Sequence, residues 1–185
     1  MVGEIRDLDT AKTALQASLT GHLVLSTFHA GSAAAALTRI LDVIEENPLL
    51  ATAIRLVMAQ RLVRKLDDSS KVAYKPTEAE LDHIQKVIAT LPSDITKPNL
   101  DQLQLYRPGK TADNPYGFKG QIPLREQFLM NDNIIAVLQK GASGTSTKDI
   151  ENVAVTSGMV TMLQDGILKV CAGLTTLEEV ARVVG

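Results

Sequence analysis

The segment His22-Leu-Val-Leu-Ser-Thr-Phe-His-Ala-Gly-Ser32 reads as a short apolar strand, Leu23–Thr27, a polar turn, and a helix capped by Ser32 that continues to about Glu46. A short apolar run bounded by turn signals is what a parallel sheet buries on both faces. Strand, turn and helix together make half of a βαβ unit. Upstream, Met1-Val-Gly3 reads as the end of a second buried strand, followed at once by Glu4, Arg6 and Asp7. Between the two strands, the Ala- and Leu-rich stretch from Asp9 to Leu19 has acidic residues suited to a helix N-terminus, and Gly21 stops it. A chain that opens on the end of a core strand is expected to begin partway through a larger fold.

Downstream, Asn47-Pro48 is a helix start signal. The spacing of Leu50, Ile54, Val57, Met58, Arg61 and Leu62 predicts a helix running to Lys65 and carrying Arg55, Arg61 and Arg64. Residues 67–76 read as a polar break. Thr77 and Glu80 form a capping box before the apolar stripe Leu81, Ile84, Val87, Ile88 and Leu91, and Pro92 ends that helix. Leu103 and Leu105 alternate with polar neighbours as in a half-buried strand, and 118–124 reads as its antiparallel partner across a Pro/Gly-rich turn. The last third is helical: 134–140 capped by Asn131 or Asp132 and ended by Gly141, 147–157, 159–172, and a short final helix capped by Thr176 with Glu179. The chain divides into an α/β piece (1–66), an inserted α+β piece (67–125) and a helical piece (126–185).

The 185 residues suffice for one domain with an appendage, and 45% hydrophobic against 22% charged residues excludes a disordered chain. Aromatics make up only 3%, so the core is aliphatic and stacking-based recognition of nucleic acid is disfavoured. With 19 basic and 21 acidic residues the formal net charge is -2, and no basic stripe suggests a nucleic-acid partner. The single cysteine, Cys171, excludes an internal disulfide and any zinc site built on paired cysteines; it reads as a small buried hydrophobe. No apolar run reaches membrane-spanning length, and the N-terminus lacks the basic start of a signal peptide. A soluble protein of a reducing compartment is expected.

Glu4, Arg6 and Asp7 lie just past a strand end, where ligand crevices of open α/β sheets form. Acidic residues there hold magnesium or orient an attacking water, and an arginine neutralises transferring phosphoryl charge. The same residues also read as a solvated turn with Asp7 or Asp9 as a helix cap. His29 lies at the same kind of crevice edge and His22 at the other end of its strand; each reads either as a phosphate contact or as a structural histidine. Arg61 and Arg64 read as an interface or solvated face. The stretch from Gly141 to Lys148 imitates a phosphate-binding loop, but Ser146 stands where the second glycine is needed and Thr147 where the lysine is needed. It reads as a linker.

Five ordered segments resemble the type II secretion and type IV pilus assembly ATPases. Val2-Gly-Glu-Ile-Arg-Asp7 is similar to the family's Walker B segment, and Leu19 to His29 to its histidine box. Ala59-Gln-Arg-Leu-Val-Arg64, Gly117-Phe-Lys-Gly120 and the stretch from Gly158 to Val180 are similar to three later signatures. The resemblance implies an α/β fold: the C-terminal part of a RecA-like P-loop ATPase domain with an α+β insertion and a C-terminal helical lobe. It implies Glu4 near magnesium and the attacking water, Arg6 and Asp7 shaping that pocket, His29 at the terminal phosphate supported by His22, and Gln60 and Arg61 coupling the nucleotide region to its neighbours.

Further implications are ATP and Mg2+ as cofactors, hexamers, an inner-membrane platform protein as partner, and a cytoplasmic location peripheral to the inner membrane. The family's P-loop lies upstream of the Walker B segment, so a Mg-dependent ATPase is expected in the parent and an inactive chain in isolation. Assembly motors commonly carry a four-cysteine zinc knuckle between the last two central signatures; residues 67–116 hold no cysteine, so no zinc is expected. Two alternatives stand beside the motor: a non-catalytic regulatory or interaction module on the same half-fold, and a metal-dependent hydrolase using Glu4, Asp7, His22 and His29.

Overall fold

Helices and strands follow the chemistry of their ends. The computed structural model describes residues 1–44, 49–139 and 144–184. These residues divide into two compact units, one formed by 1–59 with 127–159 and the other by 60–126 with 160–185.

The first unit is built mainly of helices. Helix α1 (Leu8–Leu19) begins where the Asp7 carboxylate accepts the Thr10 N–H, and its C-terminus passes into Gly21, whose φ of 94° is left-handed. Helix α2 (Ala33–Ile44) starts from Ser32, whose hydroxyl accepts the Ala35 N–H at 3.0 Å. The expected continuation to Glu46 and the Asn47-Pro48 start signal lie outside the described residues. A one-turn helix, α3 (Leu50–Ala53), follows. Later in the chain α5 (Asp132–Leu138) is capped by Asn131 and α6 (Thr147–Thr156) by the Ser146–Asp149 capping box. The expected end of α5 at Gly141 is also outside the described residues. Small and aliphatic side chains fill this core: Ala11, Ala14, Ala33, Leu37, Leu41, Ile134, Ile150 and Ala154 among them.

The parallel pair expected at the N-terminus is present in reduced form. Residues 1–5 lie beside 25–27 through Val2 N–H to Leu25 O, Thr27 N–H to Gly3 O and Ile5 N–H to Thr27 O, at 3.0, 3.3 and 3.0 Å. Glu4 and Thr27 form an isolated parallel bridge. Only one face of this pair is covered: Ile5 is buried and Val24 packs on the core, whereas Met1, Leu23 and Leu25 are exposed. The doubly buried strand expected for Leu23–Thr27, and a buried strand end at Met1 to Gly3, are therefore not what forms.

The second unit corrects the reading further. Residues 56–65, expected to be helical, lie in strand β1 (Leu56–Leu66), which pairs with β4 (Phe118–Leu129). Arg55 O accepts the Met130 N–H and Asp67 N–H donates to Gly117 O, so the two strands run antiparallel. Propensity favours helix in this Leu- and Arg-rich stretch, but pairing with a partner strand of nearly the same length, 11 residues against 12, overrides so weak a prior. The boundary between the two units passes through both strands.

The 67–76 break contains β2 (Val72–Tyr74), which pairs antiparallel with β3 (Leu105–Arg107), Ala73 opposite Tyr106. Residues 103–106 therefore do not pair with 118–124 as expected. Helix α4 (Glu78–Ala89) carries the full Thr77–Glu80 capping box. Helix α7 (Met162–Cys171) starts three residues later than expected, from a Thr161–Gln164 box, and α8 (Leu177–Val184) closes the chain. Cys171 is only half-buried. Val63, Leu66, Ile84, Leu105, Leu124, Ile167, Val170 and Val180 form the core of this unit.

Candidate functional site

Three of the expected residues converge in the first unit. The ladder bonds on Gly3 and Ile5 hold Glu4 between them, and Ser26 Oγ adds a 2.6 Å hydrogen bond to Gly3 O. Glu4 Oε2 receives Arg6 at 2.6 Å, and Glu4 Oε1 lies 3.1 Å from His29 Nε2. The Glu4 side chain is 21% exposed, against 73% for Arg6 and 82% for His29. The carboxylate thus sits at the base of a shallow polar edge, with the cation and the imidazole reaching over it into solvent.

The hydrogen bond from Arg6 holds the Glu4 carboxyl below the usual range, and the charges of Arg6 and His29 add to it against a desolvation effect of opposite sign. Glu4 is ionised at neutral pH. Such a group is a poor proton acceptor, because general bases work best with a pKa near the operating pH. It is well suited to accept hydrogen bonds and to sit beside a cation.

Asp7 does not join this cluster. Its carboxylate caps α1, accepting the Thr10 N–H at 2.8 Å and the Thr10 hydroxyl at 3.1 Å, and these bonds lower its pKa. His22 is engaged at the other end of α1, with Nδ1 3.1 Å from Thr20 Oγ1 and 3.2 Å from Ala17 O. Gln60 and Arg61 lie on β1 in the second unit, both exposed, on a strand rather than on the expected helix; Arg61 reaches the Gln60 carbonyl at 3.3 Å.

Two contributors escaped the sequence reading. Arg39, on α2, donates to the His29 carbonyl at 2.8 Å, and Ser26 ties the strand under Glu4. A ten-residue separation between a helix and the turn before it carries no sequence signal. Among the described residues no group of three His, Cys, Asp or Glu converges as metal ligands, and no helix is long and apolar enough to cross a membrane.

A family model described as type II/IV secretion system protein matches residues 1–182. Type II secretion system protein E of Xanthomonas campestris pv. campestris is 42% identical over 185 residues, covering 99% of this chain and 30% of the relative. Type II secretion system ATPase E of Vibrio cholerae is 37% identical over 184 residues, covering 99% of this chain and 34% of the relative. The type IV pilus assembly ATPase PilB of Thermus thermophilus is 36% identical over 181 residues, covering 97% and 19%. The chain therefore spans no more than about a third of the length of these relatives. The solved ATPase DotB of Yersinia pseudotuberculosis matches all of this chain and 36% of its own, with a TM-score of 0.57 at 19% identity, which shows the fold alone: the α/β architecture of part of a RecA-like domain. With its residues matched from end to end by relatives of this kind, the chain belongs to the type II/IV secretion system protein family.

Proposed function

We propose that this chain is the C-terminal part of an ATP-hydrolysing motor that powers type IV pilus assembly or type II secretion, with Glu4, Arg6 and His29 forming one edge of its nucleotide site. The convergence of these three side chains carries the reading, and family membership supports it. The donor set fits Mg2+: magnesium commonly takes one or two carboxylates and completes its shell with water and phosphate oxygens, and Glu4 offers one ionised carboxylate at a solvent-open edge. Mg-ATP supplies the transferring phosphoryl group and the neutralisation of its charge.

The protein's own residues divide the remaining work. Glu4, kept ionised by Arg6, accepts hydrogen bonds from the attacking water or the metal's water shell. Arg6 balances the carboxylate and orients it. His29 presents its exposed imidazole to the terminal phosphate. Asp7 fixes the start of α1 and His22 its end, so that the strand pair keeps its register. Gln60 and Arg61 couple the nucleotide region to neighbouring elements. In this reading the phosphate cradle belongs to a P-loop elsewhere in the parent protein, the chain alone does not hydrolyse ATP, and the motor acts as a hexamer against an inner-membrane platform protein on the cytoplasmic face. The metal-dependent hydrolase is disfavoured, because Asp7 and His22 are engaged with α1 while Glu4 and His29 are engaged with each other.

The test is magnesium-dependent ATP hydrolysis by the full-length protein in which this segment occurs, with Glu4→Gln run beside it. Turnover that drops at least about a hundredfold in the variant, the scale on which removing one electrostatic group from a reaction centre acts, supports the motor. Equal turnover in the two proteins removes Glu4 from the site. No turnover in folded, assembled wild-type protein favours the regulatory module.

A further inference from the structure

We propose that Arg39 is a positioning residue: by holding the His29 main chain, it sets where the imidazole stands against Glu4. The inference rests on the nucleotide-site reading only for its consequence in catalysis; the positioning itself is a property of this chain.

Glu4 is held on both sides by ladder bonds at Gly3 and Ile5, and the Ser26 hydroxyl donates a further bond to Gly3 O. His29 stands two residues beyond Thr27, the last residue of that ladder, and three before the Ser32 cap of α2. Its ring is 82% exposed, so packing does little to confine it. The His29 carbonyl receives the Arg39 guanidinium at 2.8 Å, the length of a strong charge-assisted bond.

The direction is what helix geometry provides. Side chains on an α-helix tilt toward its N-terminus, so an arginine on the second turn of α2 reaches back to the turn that precedes the helix. Arg39 is also off the buried stripe of α2, which consists of Ala33, Ala34, Leu37, Leu41 and Ile44. Removing its charge therefore takes nothing from the core, and the effect is confined to the turn. His29 is thus held at two points: its main chain by Arg39 on one helix, its ring by Glu4 on the strand pair.

The first readout is independent of hydrolysis. Ring-nitrogen NMR spectra of this chain resolve His29 from His22 and His83, which serve as internal controls. Arg39→Gln is expected to move the His29 signals in the same direction as Glu4→Gln does, to leave the other two histidines in place, and to keep the thermal midpoint within about 2 °C, as surface changes do. Arg39→Lys, which keeps a charged donor, is expected to move them less than half as far. Unmoved His29 signals in Arg39→Gln, or a lysine variant shifted as far as the glutamine one, overturn the proposal. So does a Glu4→Gln protein whose His29 signals match the wild type.

The second readout is steady-state ATP hydrolysis by the full-length protein. Arg39→Gln is expected to lower kcat about tenfold and to change KM for ATP no more than about twofold, since a misplaced reacting group costs rate rather than binding. If the ring signals move as expected while turnover is unchanged in both Arg39→Gln and His29→Ala, Arg39 still positions His29. It is then the assignment of His29 to the nucleotide site that fails.

Discussion

Glu179 shows how one side chain organises a unit. Only 2% of it is exposed, and its carboxylate accepts the Arg64 N–H at 2.9 Å, the Arg64 guanidinium at 2.6 Å and Arg182 at 2.8 and 3.1 Å. Burial pushes its pKa up, but the hydrogen bonds from Arg182 and Arg64 outweigh it and hold the group at about 2. The sequence offered Thr176 and Glu179 as a capping box. The hydroxyl half holds, with Glu179 N–H reaching Thr176 Oγ1 at 3.3 Å, but the carboxylate is turned to β1 instead. A carboxylate with a depressed pKa stabilises the fold fully above its unfolded value near 4.5 and loses that contribution as pH falls through its folded value. Asp67, held near 2 by Ser69 and Asn114, titrates over a similar range and remains in both proteins of the comparison. Glu179→Gln is therefore expected to cost about 1–3 kcal/mol at neutral pH. Thermal melts between pH 5 and about 2 should show the variant losing less stability on acidification than the wild type.

At the scale of elements, helix ends were legible and pairings were not. Ser32, Thr77 and Asn131 all cap helices in the structure, because a cap is a contact over three residues that local sequence can specify, whereas the Ser146 cap of α6 went unread. Strand β1 reads as a helix because its apolar residues also satisfy a 3.6-residue period, and its partner β4 lies more than fifty residues away. The same remoteness explains why β3 was given β4 in place of β2. The contact of α7 (Met162–Cys171) with α8 (Leu177–Val184) spans fewer residues but is sharp in its demands. A Cβ on Gly166 would stand 2.7 Å from Val180 Cγ1 and 3.3 Å from Leu124 Cδ1. Gly166→Ala is expected to destabilise by about 1–3 kcal/mol, the range for overpacking a filled core, despite alanine's better helix propensity. Chemical denaturation of the two proteins would measure this, and a stabilised variant would show that Val180 yields.

For the molecule as a whole, the chain passes between its two units three times, after Ala59, Glu126 and Met159. Each unit owns a separate core, and cooperative openings tend to follow such boundaries. Hydrogen exchange on Gly166→Ala should then show faster exchange in α4 and α7, while α1, α2 and α6 keep wild-type protection. Uniform acceleration through all five helices would mean that the units open as one.

The sequence by itself determined the family, the α/β class and several helix caps, and it singled out Glu4, Arg6 and His29 as residues to look for together, since each is written in contiguous motifs or in contacts a few residues long. The tertiary structure alone decided that 56–66 is a strand, that β3 pairs with β2, that Arg39 reaches the His29 carbonyl, and that Glu179 faces Arg64. The reason is common to all four. Each is settled by free energy gained between groups brought together by packing, and a hydrogen bond or strand pairing across ten or more residues leaves no periodic trace in the chain that makes it.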